Sequence, residues 1–257
     1  MGDNAMKLKK LFSAAIASTF FIFSSSANSA ILADVMWVID TSGSMGDDIA
    51  QVKQRILEFN TAMTTNGIDA NYGVVRFGGA ASLIQDFTTF DTFSAAGSPF
   101  MVLTDNGGGT EDGSAAIQTA LTATYRTNAV RNIILVTDEN DDNSGNRQAL
   151  ADALTATAAN ELINIIGNPA DDDNNYYRDL APAHGGLFFD IDDFRANPAA
   201  FFTNFINTKV GEIIGDFCTQ NPNDPQCQNR VPEPTSLALT GLALAGLVGI
   251  RRRKQSK

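Results

Sequence analysis

The sequence predicts a doubly wound α/β domain whose mostly parallel central sheet is flanked by helices. Three observations carry that expectation. Short apolar runs alternate with amphipathic stretches from Asp34 to Gly215. The runs DVMWVID and VRNIILVTD are apolar nearly throughout, as strands covered on both faces must be. No internal repeat interrupts the alternation.

The elements follow in order. DVMWVID, residues 34–40, reads as the first buried strand. The next stretch carries Ile49, Val52, Ile56, Leu57 and Phe59 at helical spacing and stops on Gly67. NYGVVRFGG and SLIQDFTTF read as two more strands, turning at Gly78 and Gly79. EDGSAAIQTALTATY predicts a helix, VRNIILVTD a central strand, NRQALADALTATAAN a helix and ELINIIGN a strand. DDDNN, residues 171–175, is a charge cluster suited to a helix start, and YYRDLAPAHGG is the short helix it opens. LFFDID gives the last strand. A closing helix from Asn197 to Gly215 turns Phe201, Phe202, Phe205 and Ile206 toward the core.

The two ends are segmented differently. Lys7, Lys9 and Lys10 precede an apolar core and the small-residue run SSSANSA, so residues 1–30 are expected to be a signal peptide removed by signal peptidase. Residues 231–257 hold Pro232, Glu233 and Pro234, then an apolar stretch, then Arg251 to Lys254. That stretch would make a helix of about 21 Å, short of a hydrocarbon core of about 30 Å, so only transient membrane association through a transmembrane helix is expected. The order of tripeptide, short apolar helix and basic tail closely resembles the PEP-CTERM sorting signal. The resemblance implies cutting by an exosortase and delivery to the cell surface or extracellular matrix, the biofilm matrix included, of a Gram-negative bacterium.

Without those ends, residues 31–216 form the domain and 217–230 a polar linker. The remaining chain has ten basic and 27 acidic residues, a net of −17. Such a surface repels phosphate backbones, which excludes nucleic acid as a partner, and favours cations. Cys218 and Cys227, the only cysteines, flank a short polar loop and in an exported protein read as a disulfide.

In a doubly wound sheet, ligands bind beyond the carboxyl ends of the strands where strand order reverses. Three loops expected at that edge are rich in oxygen donors: Asp40-Thr41-Ser42-Gly43-Ser44, the glycine loop ending in Thr110, Glu111 and Asp112, and Thr137-Asp138-Glu139-Asn140-Asp141-Asp142. Carboxylates and hydroxyls without His or Cys suit a hard cation, Mg²⁺ first, then Mn²⁺ or Ca²⁺. Asp-x-Ser-x-Ser after the first strand, a threonine in a glycine loop and an aspartate after LVT resemble the metal-ion-dependent adhesion site (MIDAS) of von Willebrand factor type A (VWA) domains. The resemblance implies that Ser42, Ser44 and Thr110 bind the ion directly, with Asp40 and Asp138 bound directly or through water. It also implies cell adhesion through the ion to an acidic protein or polysaccharide. The third loop departs from the pattern, and Glu139, Asp141 and Asp142 are candidates for a second cation.

Rival expectations stay open. Asp40 as a helix-capping residue explains one loop but not the other two. A structural matrix protein with a merely stabilising ion is the main alternative. Metal-assisted hydrolysis is weaker, because the expected shell has no obvious base beside the ion. The chain also lacks a nucleophile elbow or phosphate loop and its single histidine, His184, falls at a helix end, so no enzyme is expected.

Overall fold

Strand β1 (Ile31–Asp40) is buried at all but one of its ten positions, as its mostly apolar sequence requires, and the buried Asp34 within it is paired with Arg126 at 2.7 Å. A computed structural model describes residues 30–157 and 161–228. The expected signal peptide, the Pro232-Glu233-Pro234 motif and the apolar tail lie outside those residues.

After β1 the chain runs through α1 (Gly46–Thr65), β2 (Ile68–Phe77), β3 (Ser82–Thr88), α2 (Phe90–Phe93) and α3 (Gly113–Leu121). It continues through β4 (Val130–Val136), α4 (Ser144–Ala156), β5 (Glu161–Gly167), α5 (Tyr176–Ala183) and β6 (Phe188–Asp190). Helices α6 (Ile191–Ala196), α7 (Pro198–Gln220) and α8 (Pro225–Gln228) complete the described part. The six strands are ordered β3-β2-β1-β4-β5-β6, parallel except for the edge strand β3. Strand order therefore reverses between β1 and β4, where Ile39 lies beside Val136. This is the predicted single doubly wound domain.

Side-chain alternation along β1 divides the core in two. Val35, Trp37 and Ile39 face the layer of α1 and α7, packing with Phe59, Tyr72, Phe93 and Phe205. Met36 and Val38 face α3, α4 and α5, with Phe77, Ile117, Leu150 and Tyr177. Trp37 meets Phe59 edge-on at 5.5 Å between centroids, a geometry that aligns ring edge with ring face.

Several expectations need correction. Leu57 is 61% exposed, because it falls on the outer face of α1 while Ile56 and Phe59 take the inner one. The strand β1 starts three residues earlier than predicted, and α3 is confined to Gly113–Leu121. The polar linker does not begin at 217. The closing helix continues to Gln220, burying Phe217 and bringing Cys218 to its last turns. Cys218 and Cys227 form a disulfide with Cα atoms 5.4 Å apart, and both pack against the larger core cluster. In DDDNN it is Asp172 that serves the helix, accepting from the Tyr177 and Arg178 amides. Among the described residues no helix is long and apolar enough to cross a membrane.

Candidate metal centre

Asp40 is the last residue of β1, and its charge arrives where the strand leaves the sheet. The side chain is fully buried. Its Oδ1 accepts the Ser42 amide at 2.8 Å and its Oδ2 accepts the Thr137 hydroxyl at 2.8 Å. Burial outweighs these bonds and pushes the carboxyl up to about 6, with the negative charge of Asp138 adding to the rise. A buried carboxylate held by two neutral donors and, among the described residues, by no cationic side chain has a charge left uncompensated, an arrangement that suits a hard cation.

The turn after Asp40 brings the two serines together. Ser42 Oγ and Ser44 Oγ lie 3.2 Å apart, and Ser44 donates to Asp138 Oδ1 at 2.9 Å. Asp138 comes from the loop after β4, so the contact spans the strand-order reversal. Asp40, Ser42, Ser44 and Asp138 are thus one connected group of oxygen donors. Their chemistry fits a hard divalent ion: two carboxylates and two hydroxyls, with room in the count for water.

Glycines let the third loop approach. Gly108 forms an isolated bridge with Ser42, and the Asn106 amide donates to the Thr41 carbonyl at 2.8 Å. A Cβ on Gly108 would lie 1.8 Å from the Gly78 carbonyl oxygen, so only glycine permits this contact. The Thr110 carbonyl in turn accepts the Gly79 amide at 2.8 Å. The Thr110 side chain is exposed and makes no hydrogen bond to the group, so its loop is placed beside Ser42 while its hydroxyl stands apart from the other donors.

The second-cation set does not assemble. Asp141 is buried and committed to the Ser114 amide and hydroxyl at 3.0 and 2.8 Å and to Arg147 at 2.9 Å. Asp142 accepts the Glu111 amide at 2.9 Å. These carboxylates brace α3 and α4, which is the physical reason they do not converge with Glu139. Among the described residues no three His, Cys, Asp or Glu side chains gather as a metal group. The candidate centre depends on hydroxyls.

Two residues absent from the predicted set belong to its surroundings. Glu111 is 2% exposed, and its Oε1 has no hydrogen-bond partner among the described residues. Burial first, then the charges of Glu139 and Asp40, push its carboxyl up to about 8. Arg195 on α6 reaches Asp138 Oδ2 at 2.8 Å and Asp48 Oδ2 at 2.6 Å. Glu111 stood inside a loop already identified, whereas Arg195 is 57 residues from Asp138 and carried no local signal. His184 is remote from all of this: its carbonyl accepts the Ile163 amide near the opposite end of the sheet.

The family profile of the von Willebrand factor type A domain matches residues 34–204, and that of the PEP-CTERM protein-sorting motif matches residues 230–254. No curated protein is significantly similar to the chain. Among solved structures, an aerotolerance-related membrane protein from Bacteroides fragilis is 16% identical over 73% of this chain and 99% of its own, with a TM-score of 0.45. The conserved hypothetical protein BatB from Bacteroides thetaiotaomicron is 16% identical over 70% of this chain and 99% of its own, at 0.46. Proximal thread matrix protein 1 from the mussel byssus is 18% identical over 63% of this chain and 44% of its own, at 0.47.

Proposed function

The chain belongs to the von Willebrand factor type A domain family, and from that membership we propose that it is an exported binding module holding a divalent cation at the carboxyl edge of its sheet. The cation is Mg²⁺, with Mn²⁺ or Ca²⁺ as alternatives. It engages an acidic protein or exopolysaccharide. The PEP-CTERM motif marks the chain for exosortase processing and for the cell surface or surrounding matrix. A Gram-negative cell is the setting that reading implies.

The observation that supports the cation is the joining of Ser42, Ser44 and Asp138 beside the buried Asp40. Asp40 and Asp138 would supply charge, and Ser42 and Ser44, with Thr110, would supply neutral oxygens. When bound, the ion supplies Lewis acidity toward an outside carboxylate. The protein's own part is orientation. The Ser42 amide and the Thr137 hydroxyl hold both oxygens of Asp40, so its carboxylate keeps one rotamer while a partner exchanges with water.

A second reading, a matrix component whose centre is only stabilising, is favoured by one contact: Arg195 already neutralises Asp138. The two separate in a single experiment. Binding to native extracellular matrix is measured with Mg²⁺ and with EDTA for the wild type, Asp40→Ala and the exposed control Asp171→Ala. Cation-dependent binding lost only in Asp40→Ala supports the adhesion module. Binding indifferent to EDTA in all three, with a cation-dependent melting temperature, selects the stabilising role.

A further inference from the structure

Arg195 is the one cation in direct contact with the candidate centre among the described residues. It stands on the short helix α6, fixed by its neighbour Phe194, which is 1% exposed in the core. Its Nη2 is shared between Asp138 Oδ2 at 2.8 Å and Asp48 Oδ2 at 2.6 Å. Its Nε adds contacts to Asp48 Oδ1 and Oδ2 at 3.2 and 3.1 Å. Asp48 itself is buried in the first turn of α1, just beyond the two serines. The guanidinium is therefore held mainly by Asp48 and extends one bond to Asp138, whose other oxygen takes Ser44.

We propose that Arg195 is a built-in competitor for the divalent cation, occupying Asp138 when the ion is absent, with Asp48 as the rest position that draws it away. The inference rests on the metal reading above. A guanidinium on one carboxylate oxygen places a positive charge next to the position of the incoming ion. It also holds lone pairs that the ion or its water would use. A cleft of about 520 Å³ borders Arg195 and Asp48, with Ser44, Asp47, Gln51 and Phe194 also on its wall. The Arg195 side chain is 35% exposed, so it has both the access and the space to leave Asp138 without leaving Asp48. Arg195 is in this sense a positioning residue: it sets the affinity of the centre through Asp138.

Opposite signs distinguish this from a structural strut. Removing Arg195 leaves Asp48 and Asp138 as neighbouring unpaired carboxylates and raises the local negative charge. Removing the charge of Asp48 leaves Arg195 to Asp138 alone. Titration calorimetry of the full chain with Mg²⁺ and with Ca²⁺ tests both. Arg195→Gln is expected to bind the ion about tenfold more tightly than the wild type, from one charge removed at contact distance. Arg195→Lys should stay close to the wild type, and Asp48→Asn should bind more weakly. Binding detectable only in Arg195→Gln also supports the competitor. Equal or weaker binding in Arg195→Gln, with its circular dichroism unchanged, overturns it. Should Arg195→Gln fail to fold, Arg195→Met, which keeps the length of the side chain without its charge, decides in its place: tighter binding supports the competitor, and equal or weaker binding overturns it. No ion bound by any folded variant overturns the metal reading and this inference together. Ion binding by the wild type that the variants leave unchanged overturns only the inference.

Discussion

The Thr137 hydroxyl donates to Asp40 Oδ2 at 2.8 Å, tying the segment after β4 to the last residue of β1 across the point where strand order reverses. Both residues are fully buried. Thr137→Val keeps the shape and removes the donor, leaving a carboxylate oxygen without its partner. Chemical denaturation in EDTA is expected to show a loss of about 1–3 kcal/mol. Thr137→Ser, which keeps the hydroxyl, should recover most of it.

Gly108 and Gly109 should respond differently to the same change. In Gly108→Ala the new methyl meets the Gly78 carbonyl oxygen at 1.8 Å, a backbone atom that cannot turn aside. The glycine loop must withdraw and take Thr110 with it. Divalent-ion affinity by calorimetry is expected to fall at least about tenfold, while the core remains folded. In Gly109→Ala nothing lies within 4 Å of the new atom, and affinity should hold.

Lys209 gives the stability a pH signature. It is fully buried on α7, paired to Glu212 and close to the rings of Phe189 and Phe205, with its ammonium 5.8 and 5.7 Å from their centroids. Burial pulls its amine down from 10.5 to about 8, against the pull of Glu212. The unfolded chain therefore binds the proton more tightly than the folded one between those values. Stability contributed by this residue rises as pH climbs from about 8 to 10.5. The double variant Lys209→Met with Glu212→Gln should lose that rise. Denaturant midpoints at pH 7.5 and 10.5, compared between the two proteins, measure it.

Reduction of Cys218–Cys227 should matter twice. The bridge closes a separation of 9 residues, for which the chain-entropy argument gives about 2.5–3 kcal/mol. Melting in the presence of a strong reductant is expected to fall accordingly. Limited proteolysis should then cut first in 221–228, the segment the bridge holds against α7.

Much of this architecture was legible in the chain because strand burial and helix period are local. The apolar runs located β1, β4 and β5, and the loops after β1 and β4 followed from strand order. The Asp40, Ser42, Ser44 and Asp138 group was legible for the same reason, as each member sits within four residues of a strand end. Thr110 was placed to the loop but not to a contact, since a glycine-rich segment fixes backbone path and leaves side-chain engagement open. Asp141 and Asp142 misled: their local pattern is that of cation ligands, and only the tertiary partners Ser114, Arg147 and Glu111 reveal them as braces. Arg195 depends on packing between distant elements, and no window of sequence contains both halves of its contacts; Lys209 has Glu212 three residues on, and what its helix could not reveal is the depth at which α7 buries the pair.

The placement of the two ends of the domain has a mechanical consequence. The Ile31 amide donates to the Gly67 carbonyl at 3.0 Å, and Gln226 lies over the same glycine, so the start of β1 and the region beyond α7 share one pole. Asp40 stands at the other, a strand length of about 30 Å away. A load carried between the two poles would therefore run along the strands. Between those poles β1 keeps its parallel pairing with β2 from Ile31 to Asp40 and with β4 from Ala33 to Ile39, so one continuous strand joins the two ends of the domain through the middle of the sheet.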